Sequence, residues 1–290
     1  MINAIVIGLG IGCIYGFIAM GFSLIYRTTG VMNFGQGAFV MLAGMGAGYS
    51  AAQWGFPFWA AALVGLACSL LGGAVLVFGI VLPLWRRKAS EFITMLGTLL
   101  FLVAAENIVL NVMGSDPRSV PPLQPHFTVR GDQFRFDSQY IYILLAAIIG
   151  ALVLGWFISR TPTGLAMRAV STDRDVSQLM GVSPAKMAVV AFLLAALIGG
   201  IGGILVAPLQ FAAWNIASLY NIKAFTAAVI GGVLDVRTAF LGGLVLGLAE
   251  SFTATFASST YLDLITLGLL LVILFFRPVG LFGRKVAVKY

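Results

Sequence analysis

Two carboxylates, Glu106 and Glu250, stand inside long apolar runs of this chain. An ionised side chain at such a position costs roughly 3 kcal/mol or more, and it usually faces a bundle interior or a water-filled path. Glu106 is followed by Asn107, and Asn111 stands four residues further on. Residues i and i+4 share a helix face, so this run carries a polar face near its outer half. Two chemistries fit it: hydrogen bonding between helices, with a neutral Glu106 as bridging donor, or one wall of a solute path. A proton relay needs a second titratable partner along the same span, and none stands there. The stretch Arg27 to Phe39 also breaks the apolar pattern, with Asn33 and Gln36 as its polar groups. It reads either as a simple polar turn or as an unwound element beside a translocation path.

Other chemistry is excluded by composition. The one histidine, His126, falls in a polar loop, which removes a Ser-His pair or a histidine metal cluster from the apolar region. No Gly-x4-Gly-Lys-Ser/Thr pattern occurs, and Gly8-x-Gly10-x-Gly12 lies inside an apolar run with no lysine. The chain therefore has no phosphate loop for ATP. Cys13 and Cys68 both fall in apolar runs and read as reduced packing residues.

One polar island, Arg160 to Lys186, carries helix punctuation. Thr172 with Asp175 three residues on reads as a capping box, Gly181 as the C′ residue, and Pro184 follows. Between them Val176, Leu179 and Met180 at i, i+3 and i+4 form a small apolar face. A helix of about two turns is unstable alone. It must dock on its own membrane domain, on lipid or on a partner protein.

The elements that position these residues are membrane helices. Of 290 residues, 60% are hydrophobic and 9% charged, against about 25% charged in a soluble domain. Apolar runs of about 20 residues recur, which predicts an all-α polytopic membrane protein, one domain over 1–290, with about eight or nine transmembrane helices. Spans are expected at 4–26, 38–52, 58–84, 91–113, 140–159, 187–207, 222–235, 238–257 and 261–276. The net charge of +7 does not indicate nucleic acid, because the basic residues cluster beside apolar runs, at Arg86 to Lys88, within 160–186, and at Arg277, Arg284, Lys285 and Lys289. That is the positive-inside pattern, which places these clusters and the C-terminus in the cytoplasm and loop 114–138 outside. The loop also contains an alternating segment that suggests a hairpin around Gly131-Asp132. The N-terminus lacks the basic start of a signal peptide, so the first run is expected to stay as a membrane helix. Segments 38–52 and 222–235 are short and glycine-rich, and each is either a re-entrant helix or a tilted span. Glycine pairs at 199–200, 202–203, 231–232 and 242–243 suit close helix packing. No sequence repeat joins the two halves.

Several stretches resemble one family. Gly30-Val31-Met32-Asn33-Phe34-Gly35-Gln36-Gly37-Ala38-Phe39 is similar to its Gly-Val-Ile-Asn-Phe-Ala-His-Gly-Glu-Phe pattern, with Gln36 and Ala38 departing from it. Gly164-x-x-Met167-Arg168-Ala169, with Asp173 and Gly181 downstream, resembles its main cytoplasmic loop, and Gly231-Gly232, Gly242-Gly243 and Glu250 resemble its C-terminal segment. The family is the branched-chain amino acid permeases of ATP-binding-cassette importers, of the LivH type. The resemblance implies a bacterial inner-membrane permease subunit with no cofactor of its own. It implies four kinds of partner: a second permease such as a LivM-like paralogue, two cassette ATPases carrying ATP and Mg, an external solute-binding protein, and lipid. Asp175-Val176-Ser177-x3-Gly181 is similar to the Glu-Ala-Ala-x3-Gly coupling signature, although Asp replaces Glu, Val-Ser replaces Ala-Ala, and Ile-x-Leu-Pro is missing. On that basis Arg168, Asp173, Arg174, Asp175, Val176, Leu179, Met180 and Gly181 are expected to meet the ATPase. Asn33, Gln36, Glu106, Asn107, Asn111 and Glu250 are expected along the path. The competing reading is an ion- or proton-coupled transporter using Glu106 and Glu250.

Overall fold

The computed structural model describes residues 1–120, 128–131, 134–137, 139–277 and 279–283. His126, Arg284, Lys285 and Lys289 lie outside the described residues. The helices are α1 (Ile2–Thr29), α2 (Gln36–Trp54), α3 (Phe58–Leu76), α4 (Leu82–Arg86), α5 (Glu91–Met113), α6 (Gln139–Arg160), α7 (Pro162–Thr172), α8 (Arg174–Leu179), α9 (Pro184–Gln210), α10 (Ile216–Gly231), α11 (Val236–Phe256) and α12 (Leu262–Phe276). A π-helical stretch, Val77–Val81, joins α3 to α4. The hairpin suggested around Gly131-Asp132 is present: β1 (Thr128–Gly131) pairs antiparallel with β2 (Phe134–Asp137), Gly131 opposite Phe134.

Every apolar run became a helix. Among the described residues, seven helical stretches are long and apolar enough to cross a membrane, and α2 and α10 are the two expected spans outside that set. The tenth helix starts at Ile216, not at 222, and ends at Gly231. Tyr220, Asn221 and Lys223 interrupt its hydropathy, yet all three are buried against protein. The apolar signal was lost where polar side chains face other helices.

Packing supplies the symmetry that the sequence hides. The two most enclosed of the seven long apolar spans, α1 and α9, cross antiparallel, with Gly202 against Ile18 and Gly21 beside Ala195. Helix α2 runs along α9 in parallel, from Gln36 by Ala195 to Gly44 by Ala207. Helix α10 runs along α1 the same way, from Tyr15 with Tyr220 to Phe22 with Phe225. Helix α3 lies antiparallel on α9, Gly73 at Ala196 and Ser69 at Gly200, while α11 lies antiparallel on α1. Long helix, break, short helix, long helix thus occurs twice in opposite directions, which is an inverted repeat. The α1–α11 seam rests on small residues: a Cβ on Gly12 would stand 2.9 Å from the Gly243 carbonyl oxygen, and one on Gly247 would strike the Gly12 backbone. Without water to exclude, such helices associate by close contact, and only glycine permits this approach.

The basic ends of α1, α4, α6 and α12, marked by Arg27, Arg86, Arg160 and Arg277, share one side of the bundle with α7 and α8. The hairpin belongs to the opposite side.

Candidate functional site

The island 160–186 contains two helices, not one. Thr161 caps α7, its hydroxyl accepting from Gly164 N at 3.0 Å, and Pro162 takes the first helical position, where a missing N–H is harmless. The expected cap of α8 is corrected: Thr172 ends α7, its hydroxyl donating to Arg168 O at 3.1 Å. The cap is Asp173, whose Oδ1 accepts from Asp175 N at 2.9 Å and Val176 N at 3.0 Å. Thr172 is still helical in α7, so the first residue free to turn its side chain back is Asp173, and a carboxylate suits the positive end of the helix. Gly181 ends the unit at φ 85°, a conformation that favours glycine.

The face of α8 is laid out as its periodicity predicts. Val176, Leu179 and Met180 are 55%, 87% and 80% exposed, although they are apolar. Asp175 supplies the acid of the first turn. The opposite side of the helix is tied down. Arg174 donates to Thr29 O, lies 5.3 Å over the Trp85 ring, and shares a small cavity with Val31, Glu91 and Thr94. Arg168 on α7 donates to Ser159 O at 2.9 Å. So α8 is fastened to the last residue of α1, immediately before the break that leads to α2.

That break, 30–35, is an interior unwound element and not a surface turn. Gly30 reverses the chain at φ 66°. Asn33 and Gln36 are fully buried. Asn33 Oδ1 accepts from Gly35 N at 3.0 Å, and Gln36 Nε2 donates to Ala195 O at 3.1 Å. Phe34 N donates to Thr98 Oγ1 at 2.9 Å, and Gly37 N donates to Asn221 Oδ1 at 3.3 Å. Ala195 is eleven residues into α9, roughly 16 Å along its axis at 1.5 Å per residue, so α2 starts deep inside the bundle. The ring of Phe34 packs against both Phe22 and Phe225, at 6.1 and 5.6 Å, closing a triangle of three rings.

The polar face expected on α5 divides. Glu106 turns inward, and its Oε1 accepts from Ser218 N at 2.9 Å and Ser218 Oγ at 2.8 Å. It acts as an acceptor at the positive N-terminus of α10, so the bridging-donor reading is corrected. Asn107 and Asn111 point outward and are exposed, each donating to the carbonyl four residues back, Val103 O and Asn107 O, at 2.8 Å. Adjacent helix positions differ by about 100°, which separates Glu106 from Asn107.

Glu250 has the partner that the sequence reading lacked. Lys223 Nζ lies 2.9 Å from its carboxylate, with side-chain exposures of 8% and 5%. Tyr15 OH donates to Oε2 at 2.9 Å, and Thr266 Oγ1 donates to Oε1 at 2.5 Å. Lys223 also donates to Tyr15 OH at 3.1 Å. This cluster staples α1, α10, α11 and α12 together. The signal was available: a lysine inside an otherwise apolar short segment needs an anion. Glu106 thus meets the first turn of α10 at Ser218, and Gly37 meets α10 at Asn221; Gln36 bonds α9 and Asn33 bonds within its own break; Glu250, on α11, meets α10 at Lys223; Asn107 and Asn111 are apart. Among the described residues no group of three or more His, Cys, Asp or Glu side chains forms a metal site. Both cysteines are free, Cys13 buried and Cys68 only partly so.

The family profile described as "Branched-chain amino acid transport system / permease component" matches residues 4–275. The chain belongs to this family. Among the permease's relatives is the high-affinity branched-chain amino acid transport system permease protein BraD of Pseudomonas aeruginosa, 30% identical and spanning 98% of this chain and 96% of that one. LivH of Escherichia coli K12, a permease protein of the same kind of system, is 25% identical over 96% of this chain and 94% of its own length. The fructose import permease protein FrcC of Rhizobium meliloti is 24% identical over 90% of this chain and 73% of its own. A solved structure, PsaBC from Streptococcus pneumoniae in complex with Fab, shares the fold at TM-score 0.53 and 12% identity, covering 98% of this chain and 94% of that one. The permease is thus a multi-pass membrane protein of a family that serves importers.

Proposed function

We propose that this permease forms the translocation path of an ATP-binding-cassette importer for branched-chain or other apolar amino acids, in a bacterial inner membrane with its C-terminus in the cytoplasm. Two cassette ATPases, which hold the ATP and Mg, receive α8. A second permease, such as a LivM-like paralogue, completes the path, and an external binding protein delivers the solute. The observation that carries the reading is α8 itself: it is capped, its apolar face is unpartnered, and its other face is tied to the break before α2. An amphipathic helix presenting i, i+3 and i+4 anchors is made for a groove.

The geometry suggests two routes of transmission. Displacing α8 moves α9 through Val182 to Ser183, and it moves Thr29 and the 30–35 break through Arg174. The second route ends on the break and the start of α2, where Gln36, Phe34 and Gly37 bond to α9, α5 and α10 respectively. Rearranging that junction would alternate access to the two sides. Coupling through Glu106 and Glu250 to an ion gradient has less support. The first caps α10 and the second is held by three donors, so both carboxylates are engaged in bonds between helices.

The test is uptake by proteoliposomes holding the co-purified subunits. Val176→Asp with Leu179→Asp should abolish ATP-driven leucine uptake while the permease still folds and inserts. Normal uptake by that variant would reject α8 as the docking element. A leucine, glutamate and fructose panel on the binding protein separates the amino acid reading from the sugar specificity that relatives such as FrcC carry in name.

A further inference from the structure

The basic side of the bundle contains an arginine cavity that the reading above does not use. It has a volume of about 210 Å³, and its walls include Arg27 of α1, Gly155 and Ser159 of α6, Arg168 of α7, and Asp235 and Arg237 at the start of α11. Three arginines line it. Among the described residues none of the three has a carboxylate within 4.0 Å. Arg168 Nε is buried with no hydrogen-bond partner, while its Nη2 donates to Ser159 O. Arg237 lies over Gly155, where even a Cβ would stand 3.7 Å from Nε. The one acid, Asp235, uses its Oδ1 to cap α11 through Arg237 N at 3.0 Å. Counting Arg27, Arg168 and Arg237 against Asp235 leaves two positive charges. The positive-inside rule accounts for arginines on this side. It does not account for three of them lining one cavity around a buried, unpaired N–H, since such groups are normally satisfied.

A second cavity, of about 640 Å³, shares Arg27 and Asp235 with the first and is otherwise mostly apolar, with Phe225, Val229, Leu274 and Phe282 in its walls. A polar, cationic compartment that opens beside an apolar one has the shape of an amphiphile with an anionic head. Guanidinium groups match phosphate oxygens in planar, two-point geometry, and basic pockets at the cytoplasmic ends of membrane helices take lipid headgroups. We propose that this cavity binds the phosphodiester of one anionic phospholipid, with an acyl chain in the adjoining apolar cavity. The headgroup then bridges α1, α7 and α11, and so steadies the helix that leads into α8.

The experiment uses the full-length chain with whatever subunits co-purify in neutral detergent. Bound lipid is counted by native mass measurement and melting is followed, with phosphatidylglycerol, phosphatidylcholine of the same acyl chains, or inorganic phosphate added. The expected result is one phosphatidylglycerol per chain, preferred at least tenfold over phosphatidylcholine, with a raised melting temperature. The preference should fall to near unity in Arg27→Gln with Arg237→Gln. Arg237→Gln alone, at an exposed side chain, should reduce it severalfold and melt like the parent in phosphatidylcholine, which separates lost binding from lost folding. Equal retention of the two lipids, a preference that survives the double variant, or displacement of phosphatidylglycerol by millimolar phosphate would each overturn the lipid assignment. The last would assign the cavity to a free anion.

Discussion

Replacing Lys223 by methionine keeps the stem of the side chain and removes the charge that faces Glu250. The carboxylate would then remain 5% exposed, with only the hydroxyls of Tyr15 and Thr266 as donors. Breaking one side of a buried ion pair costs roughly 3–5 kcal/mol. Removing both charges, in Lys223→Met with Glu250→Leu, eliminates the stranded carboxylate. What remains is the Tyr15 hydroxyl without its acceptor, worth about 1–3 kcal/mol, since Thr266 can turn to a backbone carbonyl of its own helix. The double variant is therefore expected to be about 2 kcal/mol more stable than Lys223→Met. Cys13 is 1% exposed, so in a chain with Cys68 replaced by alanine its labelling by a thiol-reactive fluorophore on heating reports opening of this core. At about 2 °C per kcal/mol, the single variant should melt roughly 6–10 °C below the parent, and the double variant part of the way back. A single variant within 1 °C of the parent would refute the buried pair. A double variant less stable than the single one would refute the account of its energetics.

Three further outcomes follow from the same geometry. Arg174→Ala should leave folding intact but raise the ATP hydrolysed per leucine transported severalfold, with Arg174→Lys partly restoring it; an unchanged ratio in reconstituted vesicles removes the Thr29 link from the transmission. Glu106→Gln keeps an acceptor for Ser218 and should cost about 1 kcal/mol, whereas Glu106→Leu leaves the end of α10 uncapped and should cost about 2 kcal/mol, read by the same melting assay. Asn111→Leu removes an exposed amide bonded only within its own helix, so melting of the isolated chain should move by less than 1 °C; reduced uptake with unchanged assembly would put this face on the path, and unchanged uptake would leave it as surface.

The transmembrane helices were legible because each needs only a long apolar run, and the capped apolar face of α8 was legible because its signals are local. Helix α7 was missed although Thr161-Pro162 is an N-cap followed by a proline at N1, a start signal in plain sight within a stretch read as loop. The cap of α8 was misplaced by one residue because Thr172 and Asp173 are both good caps, and only the length of α7 decides between them. Lys223 signalled its need for an anion by standing in an apolar segment, but its partners are 27 and 208 residues away, and nothing local says which they are. The split of Glu106 from Asn107 and Asn111 depended on which α5 face meets α10. The inverted repeat was invisible because it is carried by glycine contacts and helix direction, which unlike sequences satisfy equally well.

The central claim is that α8 passes the work of a separate ATPase to this permease. Its most direct measurement is site-specific cross-linking at Leu179→Cys, in a chain with Cys13 and Cys68 replaced by serine or alanine, using vesicles in which leucine uptake is followed in parallel. The account predicts a cross-link to the cassette ATPase, uptake only with ATP, and loss of uptake when the link is locked. Leucine accumulation driven by a proton or sodium gradient in vesicles holding the permease alone, with Leu179→Cys free of any ATPase, would contradict it.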